Sequence, residues 1–411
     1  MYQHKLPEQV RVLVLGGGIH GVGVLHDLAS RGWQGLHLLE KNKLAHGTSS
    51  KSTKLIHGGL RYLERLHDFS LVNEALHERR LLLDLASDLV HPLEILFPLL
   101  HKNIWNKWKI KIGLSLYDRL AGKAKIANHR RVSSHYLQQQ AAPLVSENLY
   151  AAYSFWDAQT DDLALVARVA ASAAALGASI SEGVQVSALA PAADGSWQVS
   201  VVDAGGANKQ INARYVVNCL GPWSNQLLTN SGLRPHYQGL ANKGIHLVFA
   251  DLGLKAGVLM QADDGRICFL LPWLGHTLLG TTEGNYNGDF DHPPVLDHEI
   301  QYLLKVCAPY LRKPLRENDI QTSFAGLRWL PASASKNLSV ISREHVIAED
   351  HLPQGLLFTL YGGKLTTYRS LAQIIGDKIV AHAGERTVST THRASSWVSS
   401  RQEIPGLLSR F

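Results

Sequence analysis

The chain has 411 residues, enough for two domains or one large one around a sizeable core. Hydrophobic residues at 45% and charged residues at 18% are ordinary for a soluble globular enzyme, and no apolar run approaches the roughly 18–20 residues of a membrane-spanning helix. The net charge of +7 sits almost entirely between His101 and Lys125, where seven basic residues face Asp118 alone, so it marks one local surface and argues against nucleic acid as a partner.

In chain order, Val10 to Leu15 is a continuous apolar run that ends in glycines, the form of a buried parallel strand rather than a secretory signal. A helical pattern follows from Gly18 to Arg31, and Leu36 to Leu39 reads as a second strand that closes a βαβ unit. Leu71, Val72, Ala75, Leu76, Leu83 and Ala86 mark a long amphipathic helix. Another helix runs from about Asp162 to a stop at Gly177. Strands dominate from Val184 to Cys219, with a hairpin signal at Gly205-Gly206. From Gly221 to Leu330 the pattern is mixed, with short strands and a helix carrying Ile300, Leu303, Leu304, Cys307 and Leu311. A last strand, Leu356 to Leu360, leads through Gly362-Gly363 into a helix with Leu371, Ile374 and Ile375. Beyond Gly384 the periodicity fades into Ser and Thr. Cys219, Cys268 and Cys307 show no metal-ligand or redox spacing, which suits a reducing cytosol and gives no metal site.

The sharpest local signal is Gly16-x-Gly18-x-x-Gly21. This glycine pattern is weak alone, but here it follows a strand, opens a helix and precedes Glu40 at the end of the next strand, the context that dinucleotide binding requires. The glycines let backbone approach a pyrophosphate, which the helix N-terminus favours through its dipole and free N–H groups. Glu40 is placed to accept from ribose hydroxyls. The pattern does not choose between NAD and FAD.

The choice comes from the hydroxyl-rich segment Gly47-Thr48-Ser49-Ser50-Lys51-Ser52-Thr53-Lys54-Leu55-Ile56-His57-Gly58-Gly59-Leu60-Arg61-Tyr62. It resembles the flavin-linked glycerol-3-phosphate dehydrogenases and the related glycerophosphate oxidases. The resemblance continues in register at Asn218-Cys219-Leu220-Gly221-Pro222-Trp223, Lys243-Gly244-Ile245-His246, Gly280-Thr281-Thr282-Glu283, Gly326-Leu327-Arg328 and Gly362-Gly363-Lys364-Leu365-Thr366-Thr367-Tyr368-Arg369. It therefore spans nearly the whole chain, from about Val10 to Val380.

The resemblance implies an α/β fold: an FAD-binding Rossmann-like domain with an inserted mixed α+β substrate domain. Residues 1–70, 146–222 and 340–385 are expected to form the discontinuous FAD domain, and 71–145 and 223–339 the substrate or cap domain, with a basic amphipathic segment at 101–125. Residues 386–411 are expected to be a loose tail. Gly16, Gly18, Gly21 and Glu40 are implied to hold the ADP half of FAD, with Val184 as a backbone contact to adenine. Thr48, Ser49, Ser52, Lys54, Leu55, Ile56 and Gly221 are implied along the ribityl chain and flavin, and Gly363, Lys364, Leu365 and Thr366 beside the ring.

The activity implied is FAD-dependent oxidation of sn-glycerol 3-phosphate to dihydroxyacetone phosphate, with the electrons passed to a quinone or to oxygen. His57 is the candidate general base, because removing hydride from an alcohol carbon requires loss of the hydroxyl proton and a neutral imidazole accepts it. Arg328 stands with it at the catalytic centre, and Arg61 and Arg343 join it as candidates for the phosphate, whose oxygens suit guanidinium forks. Tyr62 and Lys364 are second substrate contacts.

The chain departs from the family pattern in places. Trp329 stands where proline usually follows the arginine, Ala164 where Asp-Asp-x-Arg-Leu has arginine, and Glu283 where aspartate is usual. These departures leave open another hydroxy or amino substrate, or a non-catalytic flavin-binding relative; an NAD-linked dehydrogenase would leave the hydroxyl-rich loop unexplained. The sequence stops at Phe411, about where family members begin a helical C-terminal domain, so a homodimer that depends on that domain is left open.

The run Ile104-Trp105-Asn106-Lys107-Trp108-Lys109-Ile110-Lys111-Ile112 places Trp105, Trp108 and Ile112 on one helical face among lysines. That is the composition of a helix lying on an anionic membrane surface, and it predicts a cytoplasmic protein peripherally associated with the inner face of the cell membrane.

Overall fold

A computed structural model describes residues 2, 5–60, 69–100, 107–145, 149–331 and 345–399. The chain opens with β1 (Gln9–Leu15), α1 (Ile19–Ser30) and β2 (Leu36–Glu40), the βαβ unit that the apolar periodicity predicts. Val12, Leu13, Val14 and Leu15 are fully buried, because a parallel strand with helices on one side and a β-layer on the other has no wet face. Next come β3 (Leu55–Ile56), α2 (Phe69–Leu85), β4 (Val90–Leu100), α3 (Lys107–Ala121), β5 (Arg130–Val132), α4 (Ser134–Gln140) and β6 (Leu149–Thr160). α5 (Asp162–Ala175) leads to β7 (Ser179–Glu182), β8 (Gln185–Pro191), β9 (Trp197–Val202) and β10 (Asn208–Asn218). α6 (Ser224–Asn230) precedes β11 (Gly239–Ala250), β12 (Gly257–Gln261), β13 (Ile267–Trp273), β14 (His276–Gly280), β15 (Gly284–Asn285), α7 (Asp297–Cys307) and β16 (Ile320–Pro331). β17 (Val346–His351), β18 (Leu356–Tyr361) and α8 (Tyr368–His382) complete the regular elements.

Among the described residues the strands form two sheets. The first runs β17-β18-β10-β1-β2-β7, parallel from β18 to β7, with the β8–β9 hairpin continuing antiparallel onto β10. α1, α5 and α8 pack together on one face, and α1 is buried along nearly its whole length. The second sheet runs β15-β11-β14-β13-β12-β4-β6-β3, with β16 added to β11 and β5 to β6.

Two segments differ from the sequence expectation. β6 was expected with the FAD domain, within 146–222, yet it pairs along its length with β4 and belongs to the second sheet. Apolar alternation shows that a strand is half-buried but not which strand it joins. Residues 386–399, expected as a loose tail, instead lie against the helical layer. Trp397 is only 8% exposed and meets the His26 ring edge-on, while Arg31 and Arg369 donate to Thr387 O and Thr391 Oγ1. Short polar residues without periodicity are here held by hydrogen bonds to charged helix side chains.

Candidate functional site

The carboxyl ends of β1, β2, β10 and β18 open onto one cavity of about 530 Å³, the place where ligands bind in open α/β sheets. Gly16, Glu40, Cys219 and Gly362, the residues at or just past those strand ends, all line it. It extends from Val184–Ser187 and Glu40, past Gly18 and Thr48–Ser49, to His57, Arg328 and Gly363–Thr366.

The three glycines of the fingerprint do different things. Gly16 has φ +101°, and a Cβ there would meet Cys219 O at 2.7 Å; a Cβ on Gly21 would lie 1.9 Å from Gly16 O. Both serve the fold of the turn. Gly18 has φ −76°, open to any residue, but a Cβ there approaches Ser49 Oγ at 3.1 Å on the cavity wall. Ser49 Oγ accepts from Ile19 N–H at 2.9 Å, tying the hydroxyl-rich loop to the first turn of α1. Glu40 accepts from Gly17 N–H at 2.7 Å and Asn42 N–H at 2.8 Å, so its carboxylate is fixed on the cavity wall while burial raises its pKa.

The hydroxyl-rich loop is clamped from both sides. Thr48 Oγ1 donates to Leu327 O at 2.6 Å, and Ser52 Oγ to Asp162 Oδ2 at 2.7 Å. Lys54 adopts φ +61° and turns its ammonium inward to Asp162 Oδ1 at 2.8 Å and Ser50 O at 2.7 Å. Thr48, Ser49, Ser52, Leu55 and His57 line the cavity; Lys54 and Ile56 do not, and Lys54 instead anchors the loop. Val184, Gly221, Gly363, Lys364, Leu365 and Thr366 all line it, and Gly21 lies behind the turn. β3 then pairs with β6, which aims the next residue, His57, into the cavity; the His57 N–H donates to Thr366 Oγ1 at 3.1 Å.

Arg328, from β16, lines the same cavity as His57, and its guanidinium is 3.4 Å from Glu283 Oε1. Arg61, Tyr62 and Arg343 lie outside the described residues. The structure adds His246 from β11, which sequence reasoning did not single out as a site residue. Its ring stacks on Phe324 with centroids 4.9 Å apart, Nε2 is 3.0 Å from Thr53 Oγ1, and Nδ1 is buried without a hydrogen-bond partner. Burial, with Arg328 and Lys54 nearby, pushes its pKa well below the ordinary 6.5 and keeps it neutral. A Cβ on Gly280 would strike this ring at 2.3 Å, so the glycine makes room for it. The signal that could have found it is the Lys243-Gly244-Ile245-His246 motif, which sets it apart from the other histidines among the 21 in the chain.

A cavity that runs from a fixed acidic group, past a glycine turn at a helix N-terminus, to a second loop before α8 fits an extended dinucleotide in shape and donors. The description "FAD dependent oxidoreductase" matches residues 11–369. The chain belongs to this family. It is 38% identical over 368 residues to glycerol-3-phosphate dehydrogenase 2 of Mycobacterium tuberculosis (strain ATCC 25618 / H37Rv), covering 89% of this chain and 62% of that protein. The chain thus spans less than two thirds of that relative. It is 35% identical over 371 residues to D-erythritol 1-phosphate dehydrogenase of Brucella abortus (strain 2308), covering 89% of this chain and 73% of the relative. Among solved structures it resembles the FAD complex of glycerol-3-phosphate dehydrogenase from Bacillus halodurans, with TM-score 0.74, 26% identity, and coverage of 94% and 67% of the two chains. As a member of the FAD-dependent oxidoreductase family it takes FAD as cofactor, and the residues from Val184 and Glu40 to Gly363–Thr366 line the cavity that could hold it.

Proposed function

We propose that this flavoprotein oxidises sn-glycerol 3-phosphate at C2 to dihydroxyacetone phosphate. The observation that carries the reading is that His57, Arg328 and Lys364 line the same cavity as the glycine turn and Glu40. FAD supplies the two-electron acceptor for the C2 hydride. His57 takes the proton of the substrate hydroxyl, so the alcohol carbon becomes a ketone as hydride leaves. Arg328 and Lys364 hold the phosphate, joined by Arg61, Tyr62 and Arg343 in the same role. His246 near Arg328 stays neutral and adds no positive charge there. The test is anaerobic bleaching of the flavin by a panel of phosphorylated and unphosphorylated polyols; fastest bleaching by an unphosphorylated polyol or an amino acid overturns the assignment.

A second phosphorylated polyol stays within this reading, because the B. abortus relative is named for D-erythritol 1-phosphate and Trp329 lines the cavity beside Arg328. Either substrate makes the same demand on Arg328. Arg328→Leu is expected to weaken glycerol 3-phosphate by roughly 2–5 kcal/mol while scarcely changing the turnover of glycerol, which lacks the phosphate. Steady-state kinetics with both substrates checks this; equal losses for both would make the Arg328–Glu283 pair structural.

The acceptor we assign is a quinone dissolved in the bilayer, reached by docking on an anionic membrane surface. Among the described residues no helix is long and apolar enough to cross a membrane. α3, however, exposes Trp108 and Ile112 at 64% and 65%, flanked by exposed Lys109, Lys111 and Arg119, while Leu114 and Tyr117 face inward. Large apolar side chains among lysines suit the headgroup layer, each basic residue adding up to ~1 kcal/mol near an anionic surface. The protein is expected to sediment with anionic liposomes at low salt. Reversing Lys109, Lys111 and Arg119 to glutamate should release it with FAD content unchanged. Wild-type protein that stays in the supernatant at low salt would point to a soluble acceptor.

A further inference from the structure

The backbone that carries His57 is held by a second hydrogen bond, from an unexpected direction. Gly58 N–H donates to the Tyr117 hydroxyl at 2.8 Å, 59 residues along the chain and on α3. That hydroxyl donates in turn to Asp157 Oδ1 at 2.6 Å, and Arg79 Nη1 donates to the same oxygen at 2.6 Å. Arg79 is fixed further by Trp156 O at 2.7 Å and Ala124 O at 3.3 Å. Tyr117 is 2% exposed, and its ring meets Phe155 edge-on at 6.0 Å. Because its one proton is committed to a carboxylate, the hydroxyl can only accept from Gly58. The approach is close: a Cβ on Gly58 would lie 2.7 Å from the Tyr117 oxygen and 2.8 Å from Leu76. Burial and the charge of Asp157 push the Tyr117 pKa well above the ordinary 10, so the hydroxyl keeps the proton it donates to Asp157 at neutral pH.

The arrangement is more than packing. The His57 and Gly58 amides are successive, and each is held by a hydroxyl from a different element, Thr366 before α8 and Tyr117 on α3. Two fixed successive amides set the peptide plane next to the imidazole and with it the direction of the side chain. We propose that Tyr117, oriented by Asp157 and Arg79, is a positioning residue for His57, and that α3 thereby sets the geometry of the active-site loop. The inference rests on His57 being the base. It makes the same helix that carries the exposed Trp108 face a structural partner of the catalytic loop.

The test is a double-mutant cycle on the holoenzyme, reading the rate of anaerobic flavin reduction by glycerol 3-phosphate. Tyr117→Phe removes one oxygen and keeps the ring. It is expected to slow reduction by ~10–100-fold, as small misplacements of a catalytic group do, with FAD content and substrate dissociation constant near wild type. His57→Asn/Tyr117→Phe is expected to be no slower than His57→Asn alone, because a positioning residue has nothing left to position. Asp157→Asn, which keeps the Tyr117 ring and oxygen, should show a smaller loss with the same non-additivity, and decides the case if Tyr117→Phe loses its flavin. The proposal is overturned if His57→Asn is slow but Tyr117→Phe reacts within threefold of wild type, or if the two losses multiply. If His57→Asn itself is nearly as fast as wild type, the base assignment fails instead.

Discussion

Gly18→Val is expected to yield a folded, colourless protein that FAD does not reconstitute. The prediction separates two kinds of glycine in one loop. At Gly16 and Gly21 a side chain collides with backbone, so substitution there damages the turn itself. At Gly18 the backbone is ordinary, with φ −76° and ψ 176°, and the residue is the N-cap of α1 on the cavity wall. A valine side chain can be accommodated by the fold but occupies the space through which a pyrophosphate approaches the first turn of the helix. The loss should therefore fall on the cofactor. Absorbance of the purified protein and FAD released on denaturation measure occupancy, and far-UV circular dichroism checks the fold. Stoichiometric FAD in Gly18→Val would mean that the diphosphate does not approach this turn.

For the chemistry, His57→Asn is expected to slow flavin reduction by glycerol 3-phosphate on the order of 10²–10⁴-fold with FAD still bound. Asparagine keeps a planar polar group and the backbone bond from residue 57 to Thr366 Oγ1, so the loop should hold its path. What it loses is a nitrogen able to take a proton. Stopped-flow reduction under anaerobic conditions reads the chemical step without the acceptor. A rate within threefold of wild type would remove His57 from the mechanism and direct attention to the other imidazoles that line the cavity, His246 and His20 among them.

Much of the cofactor half was legible in the linear chain because its parts are contiguous. β1, the glycine turn and α1 follow one another without interruption, and Glu40 ends the next strand. Each member of such a unit constrains its neighbours through short loops, so local patterns suffice. The helices at Phe69–Leu85, Asp162–Ala175 and Tyr368–His382 follow from apolar spacing for the same reason. The hydroxyl-rich loop was recognisable as a motif, and Thr48, Ser49, Ser52, Thr53 and His57 within it line the cavity.

What the tertiary structure decided is which side chains meet across long stretches of chain. Lys54 lies within the motif, yet its ammonium turns to Asp162, 108 residues away, because a buried charge needs a buried partner and the positive φ at Lys54 aims it there. Arg328 faces the cavity beside Glu283 only because β16 pairs with β11 in one register. The strands β4 and β6 found each other through complementary faces that alternation alone does not pair. The tail from 386 to 399 is ordered by Trp397 and by buried arginines of α1 and α8, partners that composition does not reveal. No local motif marks Tyr117 in the sequence. Its hydroxyl came to hold the backbone after His57 only when folding enclosed it with Asp157, Arg79 and the amide of Gly58, since the direction of a hydrogen bond depends on every partner around it.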